Sequence, residues 1–295
     1  MASRIQIAKP DIVKAFEAMP PVLKAREVAE VFNQNREFWR LTKSTSLASF
    51  IRFMTEKTHL KAERFPFPQR EVTGFVWGDR PFLEVLLGLV DNSFYSHYTA
   101  VRIHGLTEQV PKTIFFNHEK SSQPTGPTEA PYEQATIDSA FTRPPRASKN
   151  EIEVGGLRIV FLQSANQDSI GITSGVVNLG GGSPLRLRYT NLERTLIDIA
   201  VRPFYAGGVF EVAKAFENAK DLKISVNTMA SMLKRMKFGY PYHQAIGYYL
   251  ERAKFSSSRV DLFRKMPMKR DFYLTHQMGK TRYVPAWRLY VPEGF

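Results

Sequence analysis

The chain of 295 residues contains no cysteine. This absence excludes disulfide bridges and thiolate metal sites, and it is typical of a protein in a reducing cytoplasm. The chain also has no run of about 18 or more apolar residues, so we expect no membrane span and no membrane partner. The first ten residues lack the apolar core of a secretory signal peptide. We therefore predict a cytoplasmic protein.

Sequence signatures of catalysis are missing as well. There is no nucleophile elbow, no Walker loop and no paired aspartate motif of a nucleotidyltransferase, so we predict neither catalytic residues nor a cofactor. His97 and His104 fall on one helix face, but a metal ion would need a third ligand, such as Glu108 or Glu119. Because nothing fixes those carboxylates, a structural role for both histidines is favoured and no metal site is predicted.

Glycine-rich and proline-rich sequences mark two segments of the chain after residue 117. A glycine triplet, Gly180 to Gly182, could cradle a phosphate only where a strand meets a helix start. Leu185 to Arg188 alternates like a strand, so a turn is favoured at the triplet. Prolines lie among serine, threonine and glycine between His118 and Asn150, which predicts a long loop with a weak strand in its middle.

What the chain does have is positive charge, with a net charge of +13 and a pI of about 9.8. Residues 1–80 hold 14 lysines and arginines against 9 acids, residues 81–150 hold 6 against 7, and residues 151–295 hold 21 against 12. The excess therefore lies at both ends. Such a surface favours phosphate backbones and acidic partners, although many proteins are basic without a specific partner.

The stretch from Lys43 to Trp77 organises the amino-terminal part. Thr45 and Ser46 are candidate helix caps, and apolar residues then recur at helical spacing. The opposite face is polar and mostly short, which suits a helix in a DNA major groove. The apolar face comprises Leu47, Phe50, Ile51 and Met54, and the polar face comprises Ser46, Ser49, Arg52, Phe53 and Glu56.

Two β-like runs, Leu60 to Phe65 and Val72 to Trp77, follow this helix and meet at a basic tip that ends at Arg70. Earlier helices are predicted at Asp11 to Met19 and from Ala25 to Leu41. Three helices followed by a two-stranded ribbon are the outline of a winged helix-turn-helix. The alternative is an amphipathic helix packed on a hairpin in any α+β domain.

We predict that this region binds double-stranded DNA. Between Arg36 and Arg70, eight basic residues oppose three acids, so charge and motif agree. The predicted DNA-binding residues are Arg36, Arg40, Lys43, Ser44, Thr45, Ser46, Ser49, Arg52, Lys57, Lys61, Arg64 and Arg70. Among them, Lys43, Thr45, Ser46, Ser49 and Arg52 are expected to face the groove, and Lys61, Arg64 and Arg70 to contact the backbone from the wing.

A turn from Gly78 to Pro81 predicts a domain boundary. The expected fold is α+β, with a winged helix-turn-helix at 1–80 and a mixed α/β domain at 81–295 that contains the 118–150 loop. Its predicted helices are Phe82–Val90, Ser96–His104, Leu192–Val201, Val209–Ala219, Val226–Met236 and His243–Phe255. Its predicted strands include Thr113–Asn117, Ile152–Gln163 with a turn at Gly155 and Gly156, short pieces from Ile170 to Leu179, Phe272–Leu274 and Arg282–Tyr290.

Two charged groups stand out in the second domain. Asp198 lies one turn beyond Arg194, and Glu193 could cap the same helix, so a structural ion-pair cluster is favoured over acid–base catalysis. From Arg252 to Arg288, ten basic residues oppose two acids. This run is either a second nucleic-acid face, for DNA or RNA, or a solvated basic surface. Its candidate residues are Arg252, Lys254, Arg259, Arg264, Lys265, Lys269 and Arg270.

Two further motifs carry a family resemblance. The first is SHYTA at 96–100 with HGLTEQVPK at 104–112, and the second is YTNLERTLIDIA at 189–200, continued by RP at 202–203 and YAGGV at 205–209. Together they resemble the signatures of AbiEi-family antitoxins, the regulators of abortive-infection toxin–antitoxin systems. The resemblance covers most of the chain. The long 20–45 segment and the proline-rich loop depart from the family pattern.

The resemblance implies a type IV antitoxin and transcriptional autorepressor in phage defence. The winged helix would bind inverted repeats in the promoter of its own operon, and the carboxyl-terminal domain would counteract a nucleotidyltransferase-like toxin without a requirement for direct contact. Two alternatives stay open. One is a protein-interaction module that neutralises a toxin by contact. The other is an enzyme that reverses toxin chemistry through the histidines and the Glu193, Arg194 and Asp198 group.

Overall fold

The computed structural model describes residues 3–120, 132–179 and 183–295. The chain divides into two compact units, the first ending at Asp91 and the second beginning at Asn92. Each is a mixture of helices and sheets, so the α+β class is confirmed. Within the described residues, the helices are too short or too polar to cross a bilayer.

The first unit is a small helical layer with an antiparallel sheet. Strand β1 pairs with β3, and β3 pairs with β2, in the order β1-β3-β2. The elements are α1 (Arg4–Ile7), α2 (Lys9–Glu17), β1 (Val22–Leu23), α3 (Ala25–Asn35), α4 (Leu47–Lys57), β2 (Leu60–Pro66), β3 (Glu71–Trp77) and α5 (Phe82–Leu89). The predicted amphipathic helix and both strands of the ribbon are confirmed, whereas β1 is too short to leave a pattern in the sequence.

Aromatic rings fill the core of the first unit. Phe50 of α4 packs 4.9 Å from Phe32 and 5.7 Å from Trp39, measured between ring centroids, and Phe16 stacks on Trp77 at 5.5 Å. Helix α5 joins this unit rather than the next, since it packs on β1 and β3. The division of the chain therefore falls after α5 and not at residue 80.

A glycine permits that close packing. A Cβ atom at Gly74, in the middle of β3, would lie 2.7 Å from the carbonyl oxygen of Leu23 and would collide with the side chain of Leu89. The absence of a side chain thus lets β1 and α5 approach β3.

The second unit contains two sheets and a layer of helices. Its elements are β4 (Ser93–Tyr95), α6 (His97–Ile103), β5 (Thr113–Glu119), α7 (Gln134–Phe141), β6 (Glu151–Val154), β7 (Leu157–Ser164), β8 (Ile172–Val177), β9 (Leu185–Thr190), α8 (Leu192–Val201), α9 (Val209–Ala219), α10 (Val226–Met236), α11 (Tyr242–Arg252), α12 (Ser257–Arg264), β10 (Phe272–Tyr273), β11 (Thr281–Val284) and β12 (Leu289–Pro292). Short 3₁₀ turns lie at Pro203–Tyr205 and Pro285–Trp287.

The larger sheet has the strand order β6-β7-β5-β4-β9-β8 among the described residues, with β5–β7 and β4–β9 parallel. A smaller sheet, which we call the C-terminal sheet, has the order β10-β12-β11. The fully buried rings of Phe216, Tyr249 and Trp287 lie in the core of this unit. The predicted bounds of α8, α9 and α10 are confirmed, because each carries a continuous apolar stripe.

Other predictions for this unit need correction. Helix α7 replaces the weak strand expected within the 118–150 loop, since Ile137 and Phe141 are spaced to bury one helical face. Helix α12 was missed, and the expected strand from Arg282 to Tyr290 is broken by a 3₁₀ turn. The glycine triplet at 180–182, and the prolines at 124, 127 and 131, lie outside the described residues.

Candidate nucleic-acid interface

Helix α4 turns a polar face outward. Ser46 caps its start by accepting a hydrogen bond from the Ser49 backbone N–H at 3.2 Å, and the Ser49 hydroxyl donates to the Ser46 carbonyl at 2.8 Å. The Arg52 side chain is exposed, while Ser49 is half-buried. Phe53 differs from the prediction, because it packs against the core instead of belonging to the polar face. The outward face is therefore hydroxyls followed by a guanidinium.

The segment between α3 and α4 is held in place by two side chains. Trp39 is buried against Phe50, and the Nη2 atom of Arg36 donates to the carbonyl oxygens of Thr42 and Lys43 at 2.8 and 2.7 Å. The Arg36 guanidinium also lies over the Phe32 ring, 5.4 Å from its centroid. Arg36, proposed from sequence as a DNA contact, thus also fixes the approach to α4.

A cluster of hydroxyl groups precedes α4. The Thr42 hydroxyl lies 3.0 Å from that of Ser44 and 2.9 Å from that of Thr45. Ser44 and Ser46 are exposed and Thr45 is half-buried. All the polar side chains that the sequence placed at the start of the helix therefore lie together at its amino-terminal end.

The basic residues around α4 fall into two groups. Five are exposed and form no ion pair with any carboxylate in the described part of the chain: Arg40, Lys43, Arg52, Lys57 and Arg70. Two others on the hairpin are already paired, Lys61 with Asp79 and Arg64 with Glu71. The charge available to a phosphate backbone is therefore greater beside α4 and at the tip than along the hairpin strands.

The β2–β3 hairpin has a covered apolar side. Phe65 and Phe67 are buried, and the Phe65 ring meets that of Phe82 on α5 at 5.5 Å. The basic side chains of the hairpin, Lys61, Arg64 and Arg70, remain exposed. Residues 60–77 thus form a two-stranded hairpin that contacts α5 on its apolar side and carries the exposed Arg70 at its tip.

The second basic region is partly neutralised within the second unit. Arg264 pairs with Glu251 and Asp261 and lies 5.3 Å from the centroid of the Trp287 ring, while Arg270 pairs with Glu133. Arg252 lies over the Phe295 ring at 4.4 Å. Of the seven candidate residues, Lys254, Arg259, Lys265 and Lys269 are exposed with neither an ion pair nor a ring contact among the described residues. These four are the members of the set whose charge no internal partner compensates.

Arg194 is the centre of a buried polar network. Its Nε donates to Asp198 at 2.7 Å, Nη1 to the Ile170 carbonyl at 2.7 Å and Nη2 to Gln167 at 2.5 Å. Burial raises the pKa of Asp198, although Arg194 opposes that shift. Glu193 lies outside the network and instead accepts the Ser225 backbone N–H at 2.9 Å, at the start of α10.

Glu119 is the member of this network that sequence reasoning missed. It is buried, its Oε1 lies 4.0 Å from Arg194 Nη1, and its Oε2 accepts the backbone N–H groups of Gln167 and Ser169. No local pattern marks this role, because the strand, loop and helix that meet here are far apart in the chain.

The two histidines have structural partners. His97 Nδ1 lies 2.8 Å from the Ser96 hydroxyl, and His104 Nε2 donates to the Thr190 carbonyl at 2.7 Å. Burial lowers the pKa of His97 well below its usual value, with Arg202 and Arg194 adding to the shift, and burial also lowers the pKa of His104. The described residues contain no cluster of three metal-ligand side chains.

Both signature segments meet in the second unit. The His97 ring lies 5.2 Å from the Tyr205 ring, and the His104 ring lies 5.5 Å from the Tyr189 ring, measured between centroids. The residues of the two motifs therefore contact one another as parts of one core.

Comparison with known proteins gives a structural neighbour. The chain is similar to the crystal structure of the RV2827C protein from Mycobacterium tuberculosis, with a TM-score of 0.56 and 13% sequence identity. The match covers 96% of this chain and 90% of that chain. The likeness is one of fold. No protein-family model and no curated protein sequence matches the chain.

Proposed function

We propose that the chain is a DNA-binding transcriptional repressor whose first unit is a winged helix-turn-helix. The observation that carries this proposal is the outward face of α4, where Ser49 and Arg52 lie between unpaired cations and beside a hairpin. The element order from α2 to β3 supports the proposal, because it agrees with the order expected of a winged helix, in which the helix before the hairpin enters the major groove.

In this arrangement the roles follow from side-chain chemistry. Arg52 can donate two hydrogen bonds to a guanine edge, and the hydroxyls of Ser46 and Ser49 can meet either a base or a phosphate. The exposed cations Arg40, Lys43, Lys57 and Arg70 would neutralise phosphates on either side. Lys61 and Arg64 would have to exchange a carboxylate for a phosphate, so we expect weaker contributions from them.

The biological role rests on the AbiEi resemblance. We propose that the DNA is a set of inverted repeats in the promoter of the chain's own operon, and that the second unit counteracts a nucleotidyltransferase-like toxin. The contacts of His97 with Tyr205 and of His104 with Tyr189 and Thr190 join the two signature segments, which supports a common framework for this unit. The enzymatic alternative would need its side chains to reach a substrate. Arg194, Asp198 and His97 are buried, which favours the antitoxin over that alternative.

A mobility-shift titration with the full chain tests the DNA-binding proposal. The probe is the upstream intergenic DNA and the competitor is unrelated duplex DNA. Arg52→Ala should weaken binding to the specific probe by about 5- to 150-fold, the loss expected for one bidentate base contact, while binding to the competitor changes little.

The matched control is Lys14→Ala, which removes an exposed cation from α2 without touching α4 or the hairpin. It should bind as the parent chain does. Equal losses for Arg52→Ala and Lys14→Ala would contradict a groove-facing α4. Separately, a stoichiometric complex with the toxin on co-purification would favour neutralisation by direct contact.

A further inference from the structure

Five aromatic rings form a column in the second unit. In order they are His276, Phe141, Tyr273, Tyr290 and Tyr283, with successive centroids 4.3, 5.6, 5.1 and 4.9 Å apart. The first three contacts are stacked and the last is tilted by 48°.

Strand register produces the tyrosine part of the column. Tyr273 on β10 and Tyr283 on β11 both pair with Tyr290 on β12, so the three tyrosines form one row across one face of the C-terminal sheet. The alternate residues Phe272 and Leu289 are buried on the other face. One face therefore builds the core, while on the other face Tyr273 and Tyr290 are half-buried and Tyr283 is exposed.

The Tyr283 end of the column is open. Its side chain is 38% exposed and belongs to β11, an edge strand of the described C-terminal sheet. The Tyr283 hydroxyl and Arg288 Nε both donate to Asp271 Oδ1 at 2.8 Å, which fixes the ring and brings a guanidinium beside it. The exposed ring face is thus held in place before any ligand arrives.

Exposed cations flank two strands of the column along the chain. Lys280 lies just before β11 and Lys269 just before β10, both exposed and without an ion pair among the described residues. At the other end, His276 Nδ1 donates towards the Arg143 carbonyl at 3.1 Å, and the Arg143 side chain is exposed. An aromatic surface bracketed by lysine and arginine is complementary to a nucleic-acid strand with unpaired bases.

We propose that the C-terminal sheet binds single-stranded RNA, with one unpaired base stacking on Tyr283 as the next member of the column. Lys280 and Lys269, which have no ion pair among the described residues, contact the neighbouring phosphates. RNA is the fitting ligand because its loops and ends expose unpaired bases, whereas the bases of duplex DNA are already stacked on one another. This site is separate from α4, and it does not depend on the DNA-binding function proposed for the first unit.

The test uses the full chain and a uridine-rich RNA strand with a single 2-aminopurine, whose fluorescence reports stacking of that base and not phosphate contacts made elsewhere on the chain. Stacking of that base should quench its fluorescence as protein is added. Tyr283→Ala should weaken binding by about 5- to 150-fold and abolish the quenching. Tyr283→Phe, which keeps the ring and loses only the bond to Asp271, should retain the quenching.

Lys280→Ala provides a second variant that leaves the ring column intact. It should reduce the affinity for the RNA strand and make that affinity less dependent on salt concentration. The quenching of 2-aminopurine fluorescence at saturating protein should be unchanged. Single-stranded DNA should compete, since stacking engages the base, and duplex DNA should not. Absence of quenching, quenching that survives Tyr283→Ala, or equal competition by duplex DNA would overturn the proposal.

Discussion

Arginine has opposite roles in the two units. Arg52 on α4 is exposed and has no carboxylate partner in the described residues, whereas Arg194 on α8 is buried with Asp198, Gln167 and a backbone carbonyl. The first can exchange water for a ligand, while the second has its donors satisfied within the fold. The comparison teaches that a cation's partners, and not its charge alone, separate a binding residue from a structural one.

The largest expected effect is on stability, and it comes from replacing Arg194, the buried arginine of this comparison. Arg194→Met should reduce the free energy of unfolding by about 3–5 kcal/mol, because it leaves Asp198 and Glu119 as uncompensated buried carboxylates. Thermal or urea unfolding of the full chain would measure the loss. DNA affinity per folded molecule should stay the same.

The control for that experiment is Arg158→Ala. Arg158 pairs with Glu151 at 2.6 Å, but both groups are partly solvent-exposed, so its loss should cost less than about 1 kcal/mol. If both variants destabilise the chain equally, the Arg194 network has no special structural role.

The next effect is acid sensitivity of the second unit. Burial lowers the pKa of His243 to about 4, from a usual value of 6.5, and it also lowers the pKa values of His97 and His104. The unfolded chain then binds more protons than the folded chain below about pH 6.5, so stability should fall as the pH falls. His243 alone should account for a loss of about 2 kcal/mol between pH values of about 6.5 and 5.

Unfolding measured across that pH range checks the sign. His243→Gln removes one titrating group, so its free energy of unfolding should depend less steeply on pH than that of the parent chain. Stability that rises on acidification would show that the buried histidines are not held neutral.

The smallest effect concerns the hairpin, where cations are exposed but paired. Arg64→Ala should reduce the slope of log affinity against log salt by about one if Arg64 contacts a phosphate. Glu71→Gln frees Arg64 from its carboxylate and should strengthen DNA binding by less than about 1 kcal/mol. A salt titration of duplex binding measures both, and an unchanged slope in Arg64→Ala would remove Arg64 from the interface.

Local patterns predicted much of this molecule. Helices with long apolar stripes, such as Val209–Ala219 and Val226–Met236, have the predicted bounds, since 3.6-residue periodicity needs no tertiary information. The same holds for the inward positions Phe50 and Met54 of α4. Short elements could not be recognised in that way, because β1 has only two residues and α7 buries only Ile137 and Phe141.

Local sequence patterns could not predict the ion-pair partners of charged residues. Composition revealed ten basic residues from Arg252 to Arg288, but not that Arg264 and Arg270 are paired with acids. Similarly, the spacing of Arg194 and Asp198 on α8 indicated an ion pair. That spacing could not show that Glu119, on strand β5, lies beside Arg194.

The sequence by itself determined the helical periods, the polar outward face of α4 and the excess of positive charge, because these depend on neighbours along the chain. Tertiary structure alone decided which cations remain free and which tyrosines share a row, since strand register and burial bring distant residues together. The contribution of an arginine to the free energy of folding depends on its three-dimensional neighbours. Arg194 therefore stabilises the fold of the second unit, while Arg52 in the first unit is available to a ligand.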